Sequence, residues 1–245
     1  MPRHEPEPSR PAPPPAGAPA PTPSRGFGHI EAWIFDLDNT LYPASCNLFD
    51  QVDRRIGEFM VQFLQIEADE ARRLQKQYFR DYGTTLRGLM TRHAVAPQRF
   101  LDYVHAIDLS PVPPSPALDA ALGRLEGRKI IFTNGSEAHA ENVMTRLGVG
   151  RHFEGVFDIV AAAYLPKPEP AAYASLVERH RVDPRAAAMF EDLPRNLAPA
   201  AALGMTTVLV RSDADWAQAG ADGDHIHHVT DDLVAWLEAA ARRKS

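Results

Sequence analysis

The sequence predicts an α/β protein: a doubly wound parallel-sheet core with an all-helical cap inserted after the first strand. Three observations carry this reading. From residue 116 onward, short apolar runs alternate with helical stretches, the pattern of a parallel sheet covered on both faces. Upstream, an isolated apolar run at Ile30–Phe35 precedes a long block in which no strand pattern occurs, so the first strand joins the later sheet and the block interrupts one domain. Polar residues follow four of the strands directly, where the ligand crevice of such sheets lies.

Ten of the 22 prolines stand before Gly26, with almost no large apolar side chain among them. Such a segment cannot bury a core, so residues 1–26 are expected to form a disordered Pro-rich tail. Pro11 to Pro14 makes a PxxP match, the kind of sequence that docks on aromatic grooves, with a plain unstructured leader as the alternative. The core then comprises residues 27–43 and 111–245, and the cap residues 44–110. Strand one reads Ile-Glu-Ala-Trp-Ile-Phe. In the cap, Leu48, Phe49, Val52, Ile56, Phe59, Met60, Phe63 and Leu64 recur at helical spacing, with Asn47 placed to cap them. Helices are expected at 68–82, stopped by Gly83, then at 84–93, and at 97–106, where Pro97 suits a first turn. The stiff connector Pro111-Val112-Pro113-Pro114-Ser115-Pro116 closes the insert.

Beyond it come a helix at 116–126, a strand at Lys129–Phe132, a helix at 137–147 ending at Gly148, and a strand at Val156–Val160. A helix at 170–180, a strand at Ala187–Phe190, a helix at 195–203 ending at Gly204, a strand at Thr206–Val210 and a helix at 231–242 complete a Rossmann-like order.

Composition narrows the function. The 245 residues carry 26 basic and 32 acidic side chains, a balance of −6. Without the tail the sum is 23 minus 30, or −7, which argues against a nucleic acid polymer as partner because such binding needs a basic face. Apolar residues make up 44%, enough for a sizeable core. A single cysteine, Cys46, excludes an intrachain disulfide and a cysteine-rich zinc site. No apolar run reaches the length of a membrane span and the N-terminus lacks a signal-peptide pattern, so a cytoplasmic monomer or homodimer is expected.

The strand ends carry the chemistry. Asp36, Asp38 and Thr40 follow the first strand. Thr133, Asn134 and Ser136 follow the second, Lys167 the third, and Glu191 and Asp192 the fourth. Singly, each has an ordinary explanation as a turn, a cap or a surface charge. Jointly, in order on one sheet, they specify a site. Converging carboxylates repel one another unless a cation sits among them, and oxygen-only ligands favour Mg²⁺. A metal, a lysine and a hydroxyl around a crevice make a receptor for a phosphoryl group. A carboxylate can attack phosphorus to form an aspartyl-phosphate. A second carboxyl can protonate the leaving oxygen and later take a proton from water.

Asp-Leu-Asp-Asn-Thr, Thr-Asn-Gly-Ser, Lys-Pro-Glu-Pro and Phe-Glu-Asp together resemble the haloacid dehalogenase-like hydrolase superfamily over roughly residues 30–211. The resemblance implies that Asp36 is the nucleophile. It makes Asp38 the general acid/base, with its backbone carbonyl a metal ligand. Asp192 would ligate Mg²⁺, with Glu191 assisting directly or through water. Thr133 and the backbone at Asn134 would hold phosphoryl oxygens, Lys167 would neutralise charge, and Thr40 would orient the Asp36 loop. Many relatives carry another acid a few positions after the Glu-Asp pair. Here Leu193-Pro194-Arg195-Asn196 has none. Dehalogenases of the family lack an acid at the position of Asp38, so its presence favours phosphate-ester hydrolysis.

More narrowly, the Asp36 loop through Pro43, the Tyr82–Leu89 block and Tyr-Leu-Pro-Lys-Pro-Glu-Pro look like the pyrimidine 5′-nucleotidase branch. That implies a small-molecule phosphate monoester such as UMP or CMP as substrate; the alternatives are a phosphatase for another small metabolite, such as phosphoglycolate or a sugar phosphate, and a non-catalytic scaffold of the same fold. Arg87, Thr84, Thr85 and Tyr82 are the cap's candidate substrate contacts, and Tyr42, Tyr78, Tyr82 or Phe49 could stack on a base. Helix packing and a surface ion pair are the plain alternatives. His225, His227 and His228 fit an exposed edge strand better than a zinc site.

Overall fold

In the computed structural model, which describes residues 27–211 and 220–244, six parallel strands form one sheet in the order β3-β2-β1-β4-β5-β6. The strands are β1 (Ala32–Phe35), β2 (Arg128–Phe132), β3 (Gly155–Phe157), β4 (Ala187–Glu191), β5 (Thr206–Val210) and β6 (His228–Thr230). The Pro-rich tail and its PxxP match lie outside the described residues. No helix among the described residues is long and apolar enough to cross a membrane.

β1 lies at the centre because its residues are apolar on both faces; all of Ala32–Phe35 are buried. It pairs with β2 on one side and β4 on the other, Phe35 lying opposite Ile131 and Phe190. The Phe35 and Phe190 rings stack at 4.5 Å with an 8° interplanar angle. Trimming either to Ala should cost about 3–5 kcal/mol, because a central site cannot collapse around the void. Two apolar layers cover the sheet: one includes Trp33, Phe35 and Leu122, the other Ile34, Phe132 and Tyr173. The helices α5 (Pro116–Arg124), α6 (Glu137–Leu147), α7 (Pro170–His180) and α8 (Pro194–Leu203) alternate with β2 to β5, and α9 (Leu233–Lys244) follows β6.

Between β1 and β2 the chain forms α1 (Leu48–Leu64), α2 (Ala68–Tyr82), α3 (Thr85–His93) and α4 (Pro97–Val104). This block has its own apolar cluster around Phe59, Met60, Tyr78, Leu89 and Phe100. α2 ends where Gly83 takes φ +82°, a conformation that resists side chains. A Cβ there would also meet Pro166 at 3.1 Å, so the α2–α3 turn sits directly against the Lys167 loop of the core. Asn47 does occupy the N-cap of α1, but at φ 54° its side chain makes no cap hydrogen bond. β3 is shorter than the sequence pattern indicates, because the chain turns at Asp158. That carboxylate accepts from the Glu137 and Ala161 backbone N–H groups at 3.0 and 2.8 Å.

Candidate active site

The strand order reverses direction between β1 and β4, the point at which an open parallel sheet parts to leave a crevice. Asp36 leaves β1 there and is held in register by its backbone N–H, which donates to Phe190 O at 2.9 Å. The loop then turns tightly. Asn39 adopts φ 61°, a left-handed conformation that Asn tolerates, and Leu41 N–H donates to Leu37 O at 3.0 Å. Asp36 and Asp38 thereby both reach the crevice while Leu37 between them is buried in the core.

Lys167, from the loop after β3, binds the centre together. Its ammonium donates to Asp36 Oδ1 at 2.6 Å, to Glu191 Oε2 at 2.7 Å and to Phe132 O at 2.8 Å. Asp36 Oδ2 accepts from the Thr40 hydroxyl at 3.0 Å. Glu191 Oε1 accepts from the Asn196 side-chain amide at 3.0 Å and from Leu193 N–H at 3.4 Å, so both of its oxygens are already engaged. Asp192 differs. Its Oδ2 is buried and has no hydrogen-bond partner among the described residues.

Ligand oxygens of Asp36, Glu191 and Asp192 lie within 4.8 Å of one another. Burial, then the Glu191 carboxylate, pushes Asp36 up to about 7. Burial, then the Glu191 and Asp36 carboxylates, pushes Asp192 up to about 10. Lys167 stays charged: burial works against its ammonium, but Asp36 and Glu191 outweigh burial and raise its pKa. One ammonium cannot balance three ionised carboxylates, which is why Asp36 and Asp192 hold their protons well above the usual carboxylate range when no cation is bound. The orphaned Asp192 oxygen and the all-oxygen donor set fit a hard divalent cation. Asp192 and Asp36 would hold it, with Glu191 beside them committed to Lys167 and Asn196.

Asp38 has a different environment. Its side chain is 32% exposed, facing the crevice. Its Oδ1 accepts from the Tyr42 hydroxyl at 2.5 Å and bonds His139 Nε2 at 2.9 Å. Burial opposes its charge, but His139, by charge and hydrogen bond, and the Tyr42 hydroxyl hold the carboxyl down at about 2.

Above these groups opens a cavity of about 700 Å³ between cap and core, within the range of small-molecule sites. Thr133, Asn134, Thr84 and Thr85 line it together with Asp36, Asp38, Lys167, Glu191 and Asp192. Thr133 Oγ1 accepts from Gly135 N–H at 2.9 Å. The Asn134 side chain clamps the Lys167 backbone, Oδ1 accepting from Lys167 N–H at 2.8 Å. Thr84 also caps α3 through Arg87 N–H at 3.2 Å, and the Thr85 hydroxyl donates to Gln75 O at 3.4 Å.

Two expected cap contacts are corrected. Arg87 points to the outside of the cap–core seam, where its guanidinium donates to Glu169 at 3.2 Å, and it does not line the cavity. Tyr82 packs edge-on against Tyr78 at 5.9 Å, half-buried against the cap's apolar cluster, and does not line the cavity. The Tyr42 hydroxyl serves Asp38, and Tyr78 bonds His93 at 2.6 Å, whereas Phe49 does line the cavity. His225 bonds Pro194 O at 2.9 Å and His227 accepts from Thr207 N–H at 3.0 Å, so these histidines serve the backbone at the start of α8 and of β5. The sequence reading missed His139, His105 and the Glu191 contact of Asn196.

Residues 30–204 match the sequence profile of haloacid dehalogenase-like hydrolases. The chain belongs to that family. The matched stretch includes the carboxylate at the end of β1, the ammonium after β3 and the acidic pair after β4. Among curated relatives, the Phosphate metabolism protein 8 of Saccharomyces cerevisiae is 27% identical over 197 residues, 73% of this chain. The aligned part spans 61% of that longer relative. Among solved structures, a HAD phosphatase of Thermococcus onnurineus superposes with a TM-score of 0.59 at 18% identity, over 86% of this chain and 97% of that one. An L-2-haloacid dehalogenase of Xanthobacter autotrophicus superposes with a TM-score of 0.53 at 17% identity, over 87% and 97%. The phosphatase and the dehalogenase share this fold.

Proposed function

We propose that this hydrolase is a Mg²⁺-dependent phosphomonoesterase that works through an aspartyl-phosphate, acting on pyrimidine nucleoside 5′-monophosphates such as UMP and CMP. One observation carries the reaction class. A second carboxyl, Asp38, faces the crevice beside the nucleophile and is held there by two donors on one oxygen. Attack at carbon with halide leaving has no use for that acid. Loss of an alkoxide from phosphorus does, because an alkoxide is a poor leaving group until it is protonated.

Asp36 carboxylate attacks phosphorus while the bond from phosphorus to the ester oxygen breaks. Asp38 delivers a proton to that oxygen, and the alcohol leaves. Asp38, now a carboxylate, takes a proton from water as the water oxygen attacks phosphorus, and the bond between Asp36 and phosphorus breaks to release phosphate. Before substrate arrives Asp38 is ionised, so its proton enters with the ester, whose second ionisation lies near pH ~6. Lys167 neutralises charge on Asp36 and the phosphoryl group, and Thr133 stands at the phosphoryl end of the cavity. A bound divalent cation would add charge neutralisation at Asp36 and Asp192. The cap excludes water from the reacting atoms and reads the leaving group through Thr84, Thr85 and Phe49.

The test is phosphate release from UMP, CMP and dUMP against GMP, AMP, phosphoglycolate and sugar phosphates, with and without Mg²⁺. Preference for the pyrimidine monophosphates with dependence on Mg²⁺ is expected. Equal rates across the panel would replace the nucleotide assignment with a general small-metabolite phosphatase. No release from any ester would overturn the reaction class.

A further inference from the structure

His139 lies on α6, one turn past the Thr-Asn-Gly-Ser stretch, and is 2% exposed. A buried imidazole needs partners, and this one has a specific set. Its Nε2 meets Asp38 Oδ1 at 2.9 Å. Its ring stacks on that of His105 at 4.6 Å and 14°. His105 is the residue that ends the last cap helix, and its Nδ1 shares a hydrogen bond with the Ser136 hydroxyl at 2.9 Å. Tyr42, where the chain departs for the cap, approaches the same Asp38 oxygen at 2.5 Å. One crossing between core and cap therefore meets Asp38 directly, and the other meets its histidine partner.

The consequence is chemical. A carboxyl that accepts two hydrogen bonds on Oδ1 carries its proton on Oδ2. Oδ2 has no donor on it among the described residues, and the Asp38 side chain reaches the cavity. Without the two donors the carboxyl could rotate, and the proton would be offered in the wrong direction as often as in the right one.

We propose that His139, with Tyr42 on the same oxygen and His105 stacked behind it, is the positioning residue that makes Asp38 Oδ2 the proton-delivering oxygen. This rests on the phosphomonoesterase reading above. It predicts that losing His139 harms reactions in proportion to their need for a leaving-group proton.

The experiment compares full-length wild type with His139→Leu, His139→Gln and Tyr42→Phe on UMP and on p-nitrophenyl phosphate, reading kcat/KM. That ratio reports steps up to aspartyl-phosphate formation, where the leaving-group proton enters. The nitrophenolate leaves without needing it. His139→Leu is expected to lower kcat/KM for UMP at least ~10-fold while p-nitrophenyl phosphate falls less than ~3-fold, within the range general acid catalysis commands. His139→Gln, whose amide can donate near the same place, should recover most of the UMP loss. Tyr42→Phe keeps the ring and should show a smaller loss, again larger for UMP. If His139→Leu does not fold, the Tyr42→Phe comparison decides alone. Equal losses on the two substrates, or a Gln variant no better than Leu, would overturn the positioning role and leave the hydrolase intact. A wild type inactive on both esters would instead overturn the phosphomonoesterase reading.

Discussion

Replacing Asp36 with Asn should separate stability from activity. Asp36 is 6% exposed and shares its pocket with the Glu191 and Asp192 carboxylates against the single Lys167 ammonium. Its pKa rises from an ordinary 3.8 to about 7, first through burial and then through Glu191. For an acid raised in the folded state, the native protein binds more protons than the unfolded chain between those two values, so stability falls as pH climbs through that window. At about 1.36 kcal/mol per pH unit, the ceiling on this penalty is about 4 kcal/mol at neutral pH. Asn is neutral and nearly isosteric. Its carbonyl can still accept from Lys167, but its NH₂ must face Thr40, whose hydroxyl must turn to accept. That imperfect exchange leaves an expected gain of about 1–3 kcal/mol. Urea unfolding in EDTA, near neutral pH and again near pH ~4, reads the difference. The variant should be the more stable at neutral pH, the gap should shrink on acidification, and phosphate release should vanish. A variant less stable than wild type at neutral pH, or a gap indifferent to pH, would refute the electrostatic account of the centre.

Three further outcomes follow from the geometry. Saturating Mg²⁺ should raise the unfolding temperature of the wild type, with stabilisation of about 2.7 kcal/mol at a hundredfold excess over Kd. Asp192→Asn should lose most of that shift, because its buried Oδ2 is the acceptor without a protein partner. Gly88→Ala should loosen the cap by about 1–3 kcal/mol, since its Cβ would lie 2.5 Å from the Tyr78 side chain; differential scanning calorimetry together with KM would show it. Arg87→Ala removes only the partly exposed pair with Glu169. It should change stability by less than about 1 kcal/mol and leave kcat/KM within about twofold, as surface ion pairs do.

The fold was largely legible because its signals are local. The stop of α2 at Gly83 needs only a residue that accepts φ +82°, and the central placement of β1 needs only a run apolar on both faces. The clustering of the acids with Lys167 was legible for a related reason. A parallel sheet delivers each strand's C-terminal end to one rim, so Asp36, Thr133, Lys167, Glu191 and Asp192 could be assembled from strand order before any coordinate. What was not legible depends on long-range pairing. Nothing local marks His139 as the partner of Asp38, 101 residues away, or sends Arg87 to Glu169 instead of the cavity. The hydrogen bond that the Asn196 side-chain amide donates to Glu191 shows how an uncharged side chain steadies that carboxylate, and it follows only from the turn of α8 behind β4. The ends of β3 were misjudged because Asp158 caps two backbone N–H groups and draws the chain out of the ladder early.

The central claim is that water attacks phosphorus, not the carboxyl carbon of Asp36. A single turnover with enzyme in excess, run in heavy-oxygen water and followed by mass spectrometry of both products, tests it directly. The account predicts the label in the released phosphate and none in the Asp36 peptide. Label in the Asp36 carboxylate would mean attack at carbon, the chemistry of ester dehalogenation, and would contradict it.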